Sequence, residues 1–343
     1  MLRSRWCLLA VLVMVTMIGR DRVSAQEKAA AQPEGYGLSA EYPGDVGIQK
    51  DPDVVFVESF EADSLEALAG DWDQFNTEIT SLSSDRPPES AGKKSILFTH
   101  VGGKGEGGHL WKCPSLSPGY DQWYLRFYVK FDPDCAPISH FVGMGGYNPP
   151  SPWPLGGAGL RPAGDKGFWT GVEPYGDAWV WDYYTYWMEM RGSPPRGQTW
   201  GNNFVHDPNL KVACGQWTCV ELMMKVNDVG DSNGEMALWI DGKQVSHLGK
   251  GHPKGKWIYD KFLPGEGGEG LRWNDETGQP DHFEVPPGGQ PFEGFRWRSS
   301  DDLKLNFLCL LVYMPHAPEG HVSKIWLDDV VLARKYIGPL KAR

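Results

Sequence analysis

Helix signals are almost missing from this 343-residue chain. Only Ser64-Leu-Glu-Ala-Leu-Ala69 has the composition of a helical turn or two, with Ser64 placed as an N-cap. That scarcity excludes a helical bundle. A second scarcity is of positive charge: 33 Lys and Arg stand against 44 Asp and Glu, a formal charge of −11. A chain this acidic has no general attraction for nucleic acid or anionic lipid, so neither is expected as a partner. There is no GxSxG around a serine, and no cysteine pair at zinc-ligand spacing, so a serine hydrolase and a zinc site are not supported. After residue 18 no apolar run is long enough to cross a bilayer.

What is abundant is glycine, proline and aromatic residues. Gly 43 and Pro 27 are together about a fifth of the chain, and Trp 16 and Tyr 13 accompany them. Such a chain reads as many short strands joined by irregular, aromatic-rich loops. Runs of this kind recur at Val54–Phe60, Lys94–His100, Trp123–Phe131, Phe141–Met144, Phe168–Glu173, Trp179–Met190, Thr218–Asn227, Glu235–Ile240, Leu303–Tyr313 and Lys324–Ala333. The fold class is therefore all-β: a two-sheet antiparallel sandwich with long surface loops. Asp241-Gly242 between apolar runs predicts a two-residue hairpin. Gly251 to Ser300, rich in Gly and Pro with three tryptophans, reads as a long packed excursion over the surface.

The N-terminus reads as a leader. Arg3 and Arg5 precede the apolar run Trp6–Ile18, and Val23-Ser24-Ala25 offers a small-residue cleavage site. Residues 1–25 are thus expected to be a signal peptide, 26–51 a linker and 52–340 one β-sandwich domain, secreted or periplasmic and monomeric. Cleavage removes four arginines and one aspartate, a net +3, and takes the charge to −14. Five cysteines remain; Cys214 and Cys219 are the pair closest in sequence and the expected disulfide.

The strand Trp123–Phe131 alternates without a break. Trp123, Leu125, Phe127, Val129 and Phe131 form one apolar face, and Tyr124, Arg126, Tyr128 and Lys130 form the other. The second face suits a hydroxylated, anionic ligand: Tyr rings stack on sugars, and Arg and Lys pair with carboxylates. A solvent face with cross-strand ion pairs is the competing reading. His140, in Ile138-Ser-His-Phe-Val-Gly143, has a side chain that can work as a base near neutral pH. Tyr184 and Tyr186, with Arg191 nearby, are acid/base and binding candidates on a strand aromatic on both sides. Glu189 with Glu173 or Asp182 could form a glycosidase pair, but no two carboxylates share one strand at the needed spacing. Asp228, Asp231, Asn233 and Glu235 could hold Ca²⁺, without the spacing of an EF-hand. No other cofactor is indicated.

The order of motifs resembles a known family. Tyr128-Val-Lys-Phe-Asp-Pro133 is followed by a Gly-rich turn at Gly143–Gly146, by Gly164-Asp-Lys-Gly-Phe168 and by a Tyr-rich strand. Then come Gly215-Gln-Trp217, Lys225-Val-Asn227 and Leu238-Trp-Ile-Asp-Gly-Lys243. This is similar to the polysaccharide lyase family 14 type of domain, in the concanavalin A-like jelly-roll superfamily. The resemblance implies a jelly roll with a polysaccharide cleft and cofactor-free β-elimination at uronic acids. It also implies a catalytic Lys where this chain has His140, and an Arg after Phe168 where it has Trp169, Thr170 and Gly171. The Tyr-x-Tyr pair stands as Tyr184 and Tyr186. The implied assignment makes His140 base or neutraliser, Tyr184 or Tyr186 acid/base, and Tyr124, Arg126, Tyr128, Lys130 and Arg191 substrate binders. An acidic polysaccharide is the implied partner. A non-catalytic lectin-like jelly roll and a glucanase-type hydrolase are the alternatives.

Overall fold

The computed structural model describes residues 33–152, 157–191, 199–258, 261–264, 269–274, 279–284 and 290–343. The expected leader lies outside the described residues. In chain order the strands are β1 (Val54–Glu58), β2 (Gln74–Phe75), β3 (Thr80–Ser83), β4 (Ser95–Val101), β5 (Gly107–Lys112), β6 (Gln122–Phe131) and β7 (Gly143–Tyr147). They continue with β8 (Gly167–Tyr175), β9 (Val180–Tyr186), β10 (Thr218–Lys225), β11 (Glu235–Ile240), β12 (Lys243–Leu248), β13 (Lys254–Ile258) and β14 (Lys261–Pro264). The last are β15 (Glu269–Asn274), β16 (Gln279–Glu284), β17 (Gln290–Glu293), β18 (Phe307–Tyr313) and β19 (Val322–Ala333). One short helix, α1 (Leu65–Ala69), starts where expected, with the Ser64 hydroxyl accepting the Ala67 N–H at 3.2 Å.

Two antiparallel sheets form the sandwich. The larger runs β12-β11-β10-β6-β19-β4-β3 with β1 added beside β19, and the smaller runs β2-β5-β18-β7-β8-β9. Their facing sides hold the core. Trp123, Leu125, Phe127, Val129 and Phe131 of β6 all point into it, against Phe141, Met144, Leu308 and Leu310. The alternation read from the sequence is therefore the true register of β6. Asp241 and Gly242 take φ values of 50° and 75° between β11 and β12, the backbone a two-residue hairpin of this type requires.

Several expectations change. The Gly-rich run Gly143–Gly146 is not a turn but strand β7, central in the smaller sheet. A β-carbon on Gly145 would come within 2.2 Å of the Phe168 carbonyl, so glycine is what lets β7 and β8 pair this closely. The described part of the 251–300 excursion is hairpins: β13 pairs with β14 and β17, and β15 with β16. Towards its end, Phe295 and Trp297 stack at 4.5 Å inside the main core. The side chains of Trp257 and Trp273 lie outside the description.

Residues 33–51 are no linker. They make three short 3-10 turns and bond to the C-terminal segment: Leu38 N–H to the Tyr336 carbonyl at 3.1 Å, Ser39 N–H to that of Ile337 at 3.0 Å, Gly44 N–H to that of Lys341 at 2.9 Å. Ile48 is fully buried among Tyr124, Trp239, Val331 and Ile337. An apolar outer sheet face attracted both chain ends, and burial stabilises them there. Among the described residues no disulfide forms, and Cys113, Cys135, Cys214, Cys219 and Cys309 are free thiols, so the expected Cys214–Cys219 bridge is absent. Cys219 lies on the outer face with Tyr128 and Leu340, whereas Cys214 packs against the core.

Candidate functional site

The outer faces of the two sheets have opposite fates. That of the larger sheet, where β6 presents Tyr124, Arg126 and Tyr128, is sealed by residues 33–51 and 334–341. Arg126 is completely buried. It forms an ion pair with Asp45 and donates to the carbonyls of Asp329 at 2.9 Å and Gly338 at 3.4 Å. The Tyr128 hydroxyl accepts the Leu340 N–H at 2.8 Å. Tyr124 packs 6.1 Å from Trp239 and 6.4 Å from Tyr336. Lys130 pairs with Asp85 and lies 4.9 Å above the Trp326 ring. The expectation that these four line an open groove is corrected: Tyr124, Arg126 and Tyr128 fasten residues 33–51 and 334–341 to the sheet, and Lys130 is tied to Asp85.

The outer face of the smaller sheet is open. On β8, Phe168 and Val172 face the core while Trp169 and Glu173 face the other way. On β9, Trp181 and Tyr183 face the core while Tyr184 and Tyr186 join Trp169. Two glycines give the rings room. A β-carbon on Gly171 would come within 2.6 Å of the Trp169 indole, and one on Gly201 within 2.6 Å of the Tyr184 ring. The resulting cavity, about 560 Å³, is lined by His140, Tyr147, Trp169, Tyr184, Tyr186 and Trp200, among others.

His140 is held at its floor by backbone. It bridges to Tyr313, whose N–H donates to the His140 carbonyl at 3.1 Å, and the two rings stack at 5.5 Å and 8°. Its Nδ1 is 3.0 Å from Glu173 Oε1. The Tyr184 ring centroid is 4.6 Å away. Glu173 is 2% exposed. Burial raises its pKa to about 6, while the hydrogen bond and charge of His140 hold it down. Burial also raises Tyr184, and its bond to the Tyr186 hydroxyl adds to that, so Tyr184 remains a protonated phenol at neutral pH. A histidine whose Nδ1–H points at a buried carboxylate presents its Nε2 lone pair as a base.

Of the residues expected at a site, His140, Tyr184 and Tyr186 meet here. Arg191 does not line the cavity; it pairs with Glu189 at 3.0 Å and donates to the Glu189 and Met190 carbonyls. Asp182, across from Glu173 on β9, accepts the N–H groups of Tyr183, Phe204, Val205 and His206. The Glu189 carboxylate, expected to pair with Glu173 or Asp182, is instead engaged by Arg191, so that glycosidase pair is not assembled. Of the candidate calcium ligands, Asp228 accepts from Asn233, and Glu235 pairs with Lys225 and His247. Among the described residues no group of three or more acidic, His or Cys side chains is arranged for a metal. Sequence reasoning missed Glu173 as the partner of His140, and it missed Arg161, Lys166 and Trp200 on the cavity walls. For Glu173 the signal was present, since it shares the alternation of β8 with Trp169.

The comparisons with known proteins bear on this arrangement. The sequence matches no family model and no curated protein. The fold does have relatives among solved structures. The alginate lyase vAL-1 from Chlorella virus superposes with a TM-score of 0.52 at 13% identity, over 83% of this chain and all of that one. A marine PL-14 alginate lyase from Aplysia kurodai gives 0.51 at 12%, over 82% and 99%. A mutant alginate lyase in complex with an alginate tetrasaccharide gives 0.50 at 14%, over 90% and 100%. The fold is one that alginate lyases share. At these identities the likeness is of architecture; what the cavity does has to come from its own residues.

Proposed function

We propose that the chain is a cofactor-free β-eliminating lyase acting on a uronate-bearing polysaccharide in the cavity above β8 and β9. The observation that carries this is the convergence of His140, oriented by Glu173, with the protonated Tyr184 in an open aromatic cavity. Elimination needs three things: a base for the proton next to the uronate carboxylate, charge to stabilise the carboxylate as that proton leaves, and an acid for the departing glycosidic oxygen. His140 Nε2 takes the proton, and the freed electron pair forms the ring double bond. The bond to the leaving oxygen breaks, and that oxygen takes the Tyr184 hydroxyl proton. Glu173 then neighbours an imidazolium, which its carboxylate stabilises. Arg161 and Lys166, on the cavity wall, are the cations placed to meet the substrate carboxylate.

The polysaccharide-binding role alone, without elimination, is the second reading. It draws on the predominance of aromatic and aliphatic groups around the cavity. Incubation with uronate polymers separates the two. A rising absorbance from the unsaturated product that vanishes in His140→Ala supports the lyase; binding without that product supports a lectin. The leader read in the sequence would place this activity outside the cytoplasm, on extracellular polymer. Among the described residues no helix is long and apolar enough to cross a membrane.

A further inference from the structure

The cavity walls bear on the kind of polymer. Tyr147, Trp169, Tyr184 and Tyr186 line it, and Trp200 stands at it half-exposed, at 50%. Exposed indole faces of this sort stack on the C–H faces of sugar rings. Against this aromatic surface the described lining holds two permanent cations, Arg161 and Lys166, both exposed and both from the segment just before β8. Asp165 stands directly before Lys166 and offsets part of their charge.

A polymer with a carboxylate on every sugar would bring one anion to each subsite. An unpaired carboxylate pressed onto an aromatic wall gives up hydration with no opposite charge to replace it. The chain's formal charge of −11 also repels a polyanion at long range. Arg161 and Lys166 come from one short segment of the described lining, an arrangement that suits a single carboxylate subsite. The geometry points to a heteropolysaccharide substrate, in which a uronic acid is spaced by neutral sugars. The uronate carboxylate meets Arg161 and Lys166, and the neutral rings stack on Trp200 and Tyr147. This rests on the lyase reading above and narrows its substrate.

The test compares the whole chain on two polymers of matched length, a repeating uronate–neutral sugar polymer and a homopolyuronate such as alginate. Both elimination and binding are measured. The expected result is a kcat/KM at least about tenfold higher on the mixed polymer, equivalent to one stacking contact. Trp200→Ala should then raise KM on the mixed polymer by a similar factor with kcat little changed. Equal or faster elimination of the homopolyuronate overturns the substrate class and leaves the lyase reading standing. Tight binding of the mixed polymer without product overturns the lyase reading and keeps the substrate class. Neither binding nor product on either polymer overturns both.

Discussion

His140 owes its proposed role to Glu173, a carboxylate that burial has made a weaker acid than usual. Two outcomes follow at the scale of single residues. His140→Ala should lower kcat by roughly 10²–10⁴-fold, the range for a general base, with the fold intact by circular dichroism. Glu173→Gln is subtler, because Glu173 positions His140 and touches no substrate. While Glu173 is protonated it cannot act as the carboxylate partner of His140. Activity of the native chain should therefore rise as pH climbs through about 6. The glutamine variant should be slower and the acid limb of its pH–rate profile should move; an unchanged profile would exclude Glu173 from the mechanism. Tyr184→Phe should cut elimination more than binding, since it removes a proton donor and keeps the ring.

At the scale of elements, β6 shows how a legible pattern can be assigned to the wrong surroundings. Its alternation is correct to the residue, and its apolar face is in the core. The other face carries Tyr and Arg because it receives the chain termini. Arg126 is fully buried, with Asp45 as its ion-pair partner and two backbone carbonyls as acceptors. Removing one member of a buried pair strands the other, so Arg126→Ala should destabilise by about 3–5 kcal/mol. Denaturant titration reads this loss. If the face were a binding groove, the same substitution would weaken polysaccharide binding and leave stability nearly unchanged. The Gly-rich run of β7 was misread for a related reason: glycine marks turns, and it equally marks a strand whose neighbours press too close for a β-carbon.

For the molecule as a whole, the buried carboxyl groups set the pH dependence of stability. Glu221, 1% exposed and bonded to the Ile337 and Gly338 N–H groups, is pushed up to about 7, chiefly by burial. Asp329 is pushed up to about 6, and Asp328 and Glu58 are also raised, burial being the first cause in each. A carboxyl with a raised folded-state pKa binds its proton more tightly folded than unfolded. Its contribution is complete below the unfolded pKa and is lost as pH rises through the folded one. Glu235, lowered to about 2 by His247 and Lys225, works in the opposite sense, and its stabilisation is lost as pH falls from about 4.5 through about 2. Melting temperature should therefore be highest on the acid side and fall as pH rises from about 4.5 to about 7. Asp328→Asn should flatten that fall. A melting temperature that climbs over this range would contradict the assignment of these groups as buried and protonated.

The sequence alone determined the all-β class, the position of many of the strands, the Asp241-Gly242 hairpin and the two faces of β6. These follow from local chemistry: period-two alternation, left-handed turn residues and too few helix formers. It also singled out His140, Tyr184 and Tyr186. What it could not determine was which outer face the chain would cover. That choice depends on where the termini return, and residues 33–51 and 334–341 settle on the larger sheet because their apolar groups are buried there. The same choice leaves the smaller sheet open, and strand pairing there brings His140 to Glu173, 33 residues on, and to Trp169 beside it on β8. Alternation is a property of a strand, whereas exposure belongs to whatever packs on it, and only the tertiary structure supplies that.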